Sequence, residues 1–254
     1  MGTLQAIFFD QDGVIIDTER DGHRVSFNET FKEFGFAFEW GIDEYHELLQ
    51  VSGGKERMKH YLQTKGFGRP VPPPEVDDLI ARMHKRKTAL FIEMVESGRL
   101  PLRPGIHRFM REAMAAGLKL AVCTTSSEKA AHAIAHQVLK DITFEAVLAG
   151  DVVEKKKPAP DIYKLGLEKT GLRPEEVLVV EDSRNGVLAG RAAGMRVLAT
   201  TNVYTEKEDL SPAEIIVSCL GDPDGEKAVL RKGPAAAVTD GVVHVEAMVR
   251  AFGG

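Results

Sequence analysis

The second half of the chain repeats one local pattern three times. A helix-like run ends at a glycine, and a short apolar run follows. The pattern covers residues 106–116, Gly117 and 118–123. It returns at 162–170, Gly171 and 177–180, and again at 187–193, Gly194 and 195–199. Glycine just past a helix supplies the left-handed residue that closes it. A short, continuously apolar strand is what a parallel sheet covered on both faces requires. Helices alternating with such strands predict a doubly wound α/β fold with right-handed crossovers. Residues 4–9 read as the first strand of that sheet.

Residues 18–98 break the pattern. They contain helix-like runs at 19–34, 43–50, 55–65 and 75–96, and few strand-like ones. The block reads as a helical cap domain, 18–98, inserted into a core domain of 1–17 and 99–254. Pro70 to Pro74 reads as a stiff linker between two cap helices. Residues 242–245 are expected to add a late edge strand.

The balance of 33 Lys+Arg against 38 Asp+Glu gives a net charge of −5 over 254 residues. That argues against a general nucleic-acid binder. No apolar run approaches the ~20 residues needed to span a bilayer. The two cysteines, Cys123 and Cys219, read as reduced and buried. The start of the chain shows no signal-peptide pattern, so bacterial cytoplasm or plastid stroma is the expected compartment.

Ligands of open α/β sheets bind beyond the carboxyl ends of the strands. Four strand ends carry reactive groups there. The first strand runs into Asp10-Gln11-Asp12-Gly13. The 118–123 strand runs into Thr124-Thr125-Ser126-Ser127. Lys155-Lys156-Lys157-Pro158 precedes a helix, and the 177–180 strand runs into Glu181-Asp182-Ser183. Paired acids leaving a buried strand are costly unless they meet a cation, and oxygen-rich sites suit hard divalent ions. Hydroxyls and free amides before a helix can cradle an oxyanion. Taken singly, each stretch also has a plainer reading: turn chemistry, helix capping, or a solvated lysine run.

The four stretches in this order resemble the haloacid dehalogenase superfamily, and the resemblance covers nearly the whole chain. It implies a HAD-like, Rossmann-like core with an inserted α-helical C1 cap. The cap segments Asp17-Thr18-Glu19-Arg20-Asp21-Gly22-His23-Arg24, Phe27-Asn28-Glu29-Thr30-Phe31 and Gly53-Gly54-Lys55-Glu56-Arg57 resemble the CbbY branch, the xylulose-1,5-bisphosphate phosphatases of carbon-fixing organisms.

The resemblance implies a role for each matched residue. Asp10 attacks phosphorus and forms an aspartyl-phosphate, a form of covalent catalysis. Asp12 acts as general acid and then base. Mg²⁺ is held by Asp10, the carbonyl of Asp12 and Asp182, with Glu181 orienting water on the metal. Thr124, the amide of Thr125 and Lys157 hold the phosphoryl group. The proline that follows Lys157 singles it out from Lys155 and Lys156. Asp12 also argues against dehalogenation, and the lack of a lysine in 18–24 argues against carbon–phosphorus cleavage.

Substrate contacts are expected from Glu19, His23, Arg24, Gly54, Lys55, Arg57 and Ser126, with Lys55 and Arg57 on a second phosphate. Arg82, Lys85, Arg86 and Lys87 read by default as a solvated face, the alternative being that Lys85 or Lys87 faces the cleft, and His132 and His136 read as helix surface. The implied partner is a small phosphorylated sugar bound by a monomer, with no nucleic acid and no membrane. Other sugar-phosphate or phosphoglycolate phosphatases and β-phosphoglucomutase share the same motifs. A non-catalytic binding protein would not need all four.

Overall fold

The computed structural model describes residues 3–252 other than 52, 127 and 151. The chain forms two compact units, residues 1–17 with 101–254, and residues 18–100. The second boundary falls two residues beyond the sequence-based one. Arg99 donates its amide to the Met94 carbonyl at 3.1 Å, which keeps it with the helical unit.

The first unit carries a sheet of seven strands among the described residues. They are β1 (Ala6–Phe9), β2 (Lys119–Cys123), β3 (Ala146–Leu148), β4 (Val177–Glu181), β5 (Arg196–Thr200), β6 (Ile215–Val217) and β7 (Leu230–Lys232), in the order β3-β2-β1-β4-β5-β6-β7. All pairings are parallel except β6 with β7. The expected edge strand at 242–245 is absent. Val242 makes only an isolated bridge to Thr239, and Val245 opens a helix. The antiparallel edge is β7, whose residues are exposed or half-buried and carry no apolar run.

Alternation along β1 explains the layers. Phe8 and Phe9 are both fully buried but point to opposite faces. Phe9 meets Phe109 edge-to-face at 6.4 Å. Phe8 lies under Gly166, where an added Cβ would come within 2.7 Å of the ring. Thus α5 (Ile106–Ala115) covers one face, while α7 (Asp161–Thr170) and α8 (Arg184–Ala192) cover the other. The core on that second face gathers Ala6, Phe8, Val177, Val179, Ile162 and Tyr163. Helices α6 (Glu128–Ala133) and α9 (Val245–Phe252) complete the unit.

The helical unit contains α1 (Arg24–Glu33), α2 (Ile42–Leu48), α3 (Gly54–Thr64) and α4 (Val76–Glu96). A π-helical turn, Thr18–His23, precedes α1, so the run expected at 19–34 is not one regular helix. Its core is aromatic: Phe27, Phe31, Trp40, Tyr45, Tyr61 and Phe67 are all buried. Asn28 clamps Trp40 from both sides, donating to its carbonyl at 3.0 Å and accepting from its amide at 2.8 Å.

Among the described residues no helix is long and apolar enough to cross a membrane. Both cysteines are free and buried.

Candidate active site

The register of the sheet assembles the site in the first unit. Phe9 pairs with Val122 on one side and Val180 on the other. Asp10 and Glu181, one residue on, and Thr124, two residues on, therefore lie at the same edge of the sheet. Asp10 donates its amide to the Val180 carbonyl at 2.9 Å, which fixes it there.

Lys157 ties three strands together. Its ammonium donates to Asp10 Oδ1 at 2.6 Å, to Glu181 Oε1 at 2.6 Å and to the Cys123 carbonyl at 3.0 Å. Burial disfavours that charge, but Asp10 and Glu181 more than offset it and hold the lysine above its ordinary range. Burial also pushes the Asp10 carboxyl up to about 7, with Lys157 opposing. Lys156 turns away and donates to the Gly150 carbonyl, and Lys155 is exposed.

Glu181 has no exposed surface. Its Oε1 accepts from Lys157 and from the Tyr163 hydroxyl at 2.6 Å. Its Oε2 accepts from the Asp182 amide at 3.1 Å and the Ser183 hydroxyl at 3.4 Å. Both oxygens are thus engaged within the protein, and the carboxylate also stands within reach of the Asp10 and Asp182 carboxylates. The residue anchors Lys157. Tyr163 also lies 5.0 Å under the ammonium, a cation–π contact that no sequence motif signalled.

Asp182 is pushed well above the carboxylate range by burial, then by Glu181 and Asp10, with Arg103 and Asn202 opposing. Asn202 donates to Asp182 Oδ2 at 2.7 Å. Asp12 is half-exposed and accepts from the Ser126 hydroxyl. Ser126, expected on the substrate, holds Asp12 through this contact. Thr124 is buried and accepts from the Ser126 amide at 3.1 Å, while Thr125 is exposed. Ser127 lies outside the described residues.

Among the described residues, Asp10, Glu181 and Asp182 bring carboxylate oxygens within 4.8 Å of one another. Two of these carboxyls, Asp10 and Asp182, are pushed upward, chiefly by burial and further by the neighbouring carboxylates. A hard divalent cation with oxygen ligands relieves that repulsion. The buried cluster of Asp10, Glu181 and Asp182 therefore fits a hard divalent cation such as Mg²⁺.

The helical unit has its own polar cluster. Arg57 is buried, donates to Tyr45 Oη at 2.9 Å and to the Leu48 carbonyl at 3.0 Å. The Tyr45 hydroxyl donates onward to Glu19 Oε2 at 2.7 Å. Lys87 is buried too, 2.8 Å from His23 Nδ1 and 4.7 Å over the Phe27 ring. Burial, with a smaller effect from Arg57, brings its ammonium down to about 8, although Glu19 opposes. Burial and the charge of Lys87 hold His23 well below its usual range, so it is neutral and accepts from the lysine.

This differs from a solvated basic face on α4. Lys87 points inward, and Arg86 pairs on the surface with Glu33 and Glu93. Arg24 is half-buried and donates from Nη1 to the Trp40 carbonyl and from Nε to the Arg20 carbonyl. Gly54 backs onto His84 and Phe27, where an added Cβ would come within 2.9 and 3.2 Å. Lys55 is exposed, with no ion pair among the described residues. Half-buried His132 and exposed His136 stack at 5.5 Å on the helix surface, as expected.

A parallel sheet with a buried, lysine-paired carboxylate at its carboxyl edge defines a hydrolase of the doubly wound class. The chain belongs to the haloacid dehalogenase-like hydrolase family, whose model matches residues 4–194, and it is a phosphatase of that family.

A CBBY-like protein of Arabidopsis thaliana is 46% identical over 226 residues, 87% of this chain and 71% of that protein. Protein CbbY of Cereibacter sphaeroides is 38% identical over 237 residues, 92% of this chain and 100% of that protein. The crystal structure of a CbbY mutant from Rhodobacter sphaeroides in complex with xylulose-(1,5)bisphosphate superposes with a TM-score of 0.62 at 39% identity. It covers 84% of this chain and 93% of the other.

Proposed function

We propose that this phosphatase converts xylulose-1,5-bisphosphate to xylulose-5-phosphate and inorganic phosphate in the presence of Mg²⁺. The observation that carries the chemistry is the 2.6 Å contact of Lys157 with Asp10 Oδ1 at the strand edge, with Asp12 two residues on. One Asp10 oxygen attacks phosphorus, and the bond to the sugar oxygen breaks. Asp12, aimed by Ser126, gives that oxygen its proton. Asp12 then takes a proton from water as the water attacks the aspartyl-phosphate, which frees phosphate and restores Asp10. Lys157 and Thr124 hold the phosphoryl oxygens. Mg²⁺, when bound, offsets charge between the carboxylates and the phosphoryl group.

Substrate choice rests on the helical unit. Arg57 and Lys87 supply buried positive charge for a second phosphate, while Glu19 and His23 offer acceptor and donor groups to sugar hydroxyls. The CbbY relatives and the bisphosphate complex of one of them support this reading.

The test is a kinetic panel with Mg²⁺: xylulose-1,5-bisphosphate, ribulose-1,5-bisphosphate, phosphoglycolate and glucose-1-phosphate. The first is expected to have the highest kcat/KM, with one phosphate released per turnover. A preference for phosphoglycolate would sink the substrate. Undiminished phosphate release by Asp10→Asn would sink the nucleophile.

A further inference from the structure

Arg103 belongs to no catalytic motif, yet it grips three loops at the edge where the site lies. Its Nη1 donates to the Gly13 carbonyl and to Thr200 Oγ1 at 3.5 Å. Its Nη2 donates to the Thr201 carbonyl at 2.7 Å and the Ser218 carbonyl at 3.1 Å. Its own amide donates to the Ile15 carbonyl at 2.9 Å. One guanidinium thus joins the loop after β1 to the ends of β5 and β6. Arginine suits this, since its rigid fork serves several acceptors at once.

The contacts lead to Asp182. The residue after Thr201 is Asn202, whose amide donates to Asp182 Oδ2 at 2.7 Å. Asn202 Oδ1 accepts from the Tyr204 and Thr205 amides at 2.9 and 3.0 Å, which fixes its orientation. Gly13 closes the circuit. It has φ +78°, and an added Cβ would lie 2.0 Å from Asp182 Oδ2 and 2.7 Å from Asn202 Nδ2. The backbone of the β1 loop is therefore stacked directly on the Asp182 carboxylate.

We propose that Arg103 is a positioning residue for the phosphatase reaction: by clamping Gly13 to Thr201 it fixes Asn202, and through Asn202 the Asp182 carboxylate. The proposal rests on the phosphatase reading and on Asp182 as a cation ligand. Partners that orient a metal ligand typically matter by ~10–100-fold in metal affinity or activity.

The test compares Arg103→Met, Arg103→Lys and Asn202→Ala with Arg108→Met. Arg108 is the matched control. It donates to the Leu220, Gly221 and Val243 carbonyls at 3.0, 2.8 and 3.0 Å in the same unit, outside this network. Each protein is titrated with Mg²⁺ in a calorimeter, well below its own melting temperature. Turnover is then measured at saturating Mg²⁺.

Arg103→Met and Asn202→Ala are expected to weaken Mg²⁺ binding by ~10-fold or more and to lower kcat, with substrate KM within about twofold. Arg103→Lys is expected to recover part of the loss. Arg108→Met is expected to lose thermal stability while keeping wild-type Mg²⁺ affinity and kcat. Wild-type Mg²⁺ affinity in folded Arg103→Met overturns the proposal. If that variant does not fold, wild-type affinity in Asn202→Ala overturns it. A wild-type protein that neither binds Mg²⁺ nor cleaves an activated phosphate ester overturns the phosphatase reading instead.

Discussion

Replacing Gly186 with alanine sets two effects of known size against each other. Gly186 lies in α8, where alanine has the better helix propensity by about 1 kcal/mol. Propensity alone therefore predicts a more stable protein. The structure predicts the reverse. A Cβ at this position would stand 1.9 Å from Glu181 Cδ and Oε1 and 2.0 Å from Oε2. Ordinary contact begins near 3.4 Å, so the carboxylate must retreat by roughly 1.5 Å.

Glu181 has no slack for that movement, because Lys157 and Tyr163 both hold its Oε1 at 2.6 Å. Hydrogen bonds to a charged group contribute ~1.5–3 kcal/mol each. Losing both outweighs the propensity gain by about 2–5 kcal/mol, or roughly 5–15 °C in Tm for a chain of this size. Activity falls as well, by ~10-fold or more, because Lys157 loses the anchor that sets it against Asp10. Thermal unfolding by circular dichroism and steady-state phosphate release measure the two effects. A raised Tm with wild-type kcat would refute the claim that Gly186 is required by the Glu181 carboxylate.

Tyr163→Phe removes only the hydroxyl that donates to Glu181 Oε1 at 2.6 Å, so it should cost ~1–3 kcal/mol in chemical denaturation and lower kcat more than it raises KM. Lys87, brought down to about 8 by burial, should lose its charge above that pH, so the KM for a sugar bisphosphate should climb there and stay flat in Lys87→Met. The stability effect has the opposite sign. The unfolded chain holds the Lys87 proton more tightly, so wild-type stability should gain ~3 kcal/mol between pH 8 and 10.5 relative to Lys87→Met in pH-dependent denaturation. Asn28→Ala, which breaks both bonds to the Trp40 backbone, should destabilise the helical unit by ~1–3 kcal/mol and show early proteolysis within 18–100.

Much of the architecture is written in local sequence. The helix–glycine–strand units place β2, β4 and β5 within a residue or two, because each depends on propensity and a left-handed stop such as Gly171 at φ +69°. The short strands β3, β6 and β7 carry too little periodicity to read, since three residues give at most two alternations. The expected edge strand at 242–245 failed for a related reason. Its apolar residues are buried without pairing into the sheet: Val242 makes an isolated bridge and Val245 opens α9.

Around α3, charge along the chain says nothing about neutralisation across it. Lys59 pairs with Asp77 at 2.6 Å and Lys65 with Glu44 at 3.1 Å, leaving Arg57 as the buried cation of that helix.

By itself, then, the sequence determined that strand ends would carry Asp10, Asp12, Thr124, Glu181 and Asp182 to one edge. That follows from short-range chemistry, in which an apolar run stops and a polar turn begins. Only the tertiary structure decided what each group does there. Lys157 reaches Asp10 across 147 residues, Arg103 reaches Gly13 across 90, and Lys87 reaches His23 across 64. Separations of that length leave no periodic trace. It is also the packed interior that makes Glu181 the anchor of Lys157, because in low dielectric a buried carboxylate takes every donor within reach.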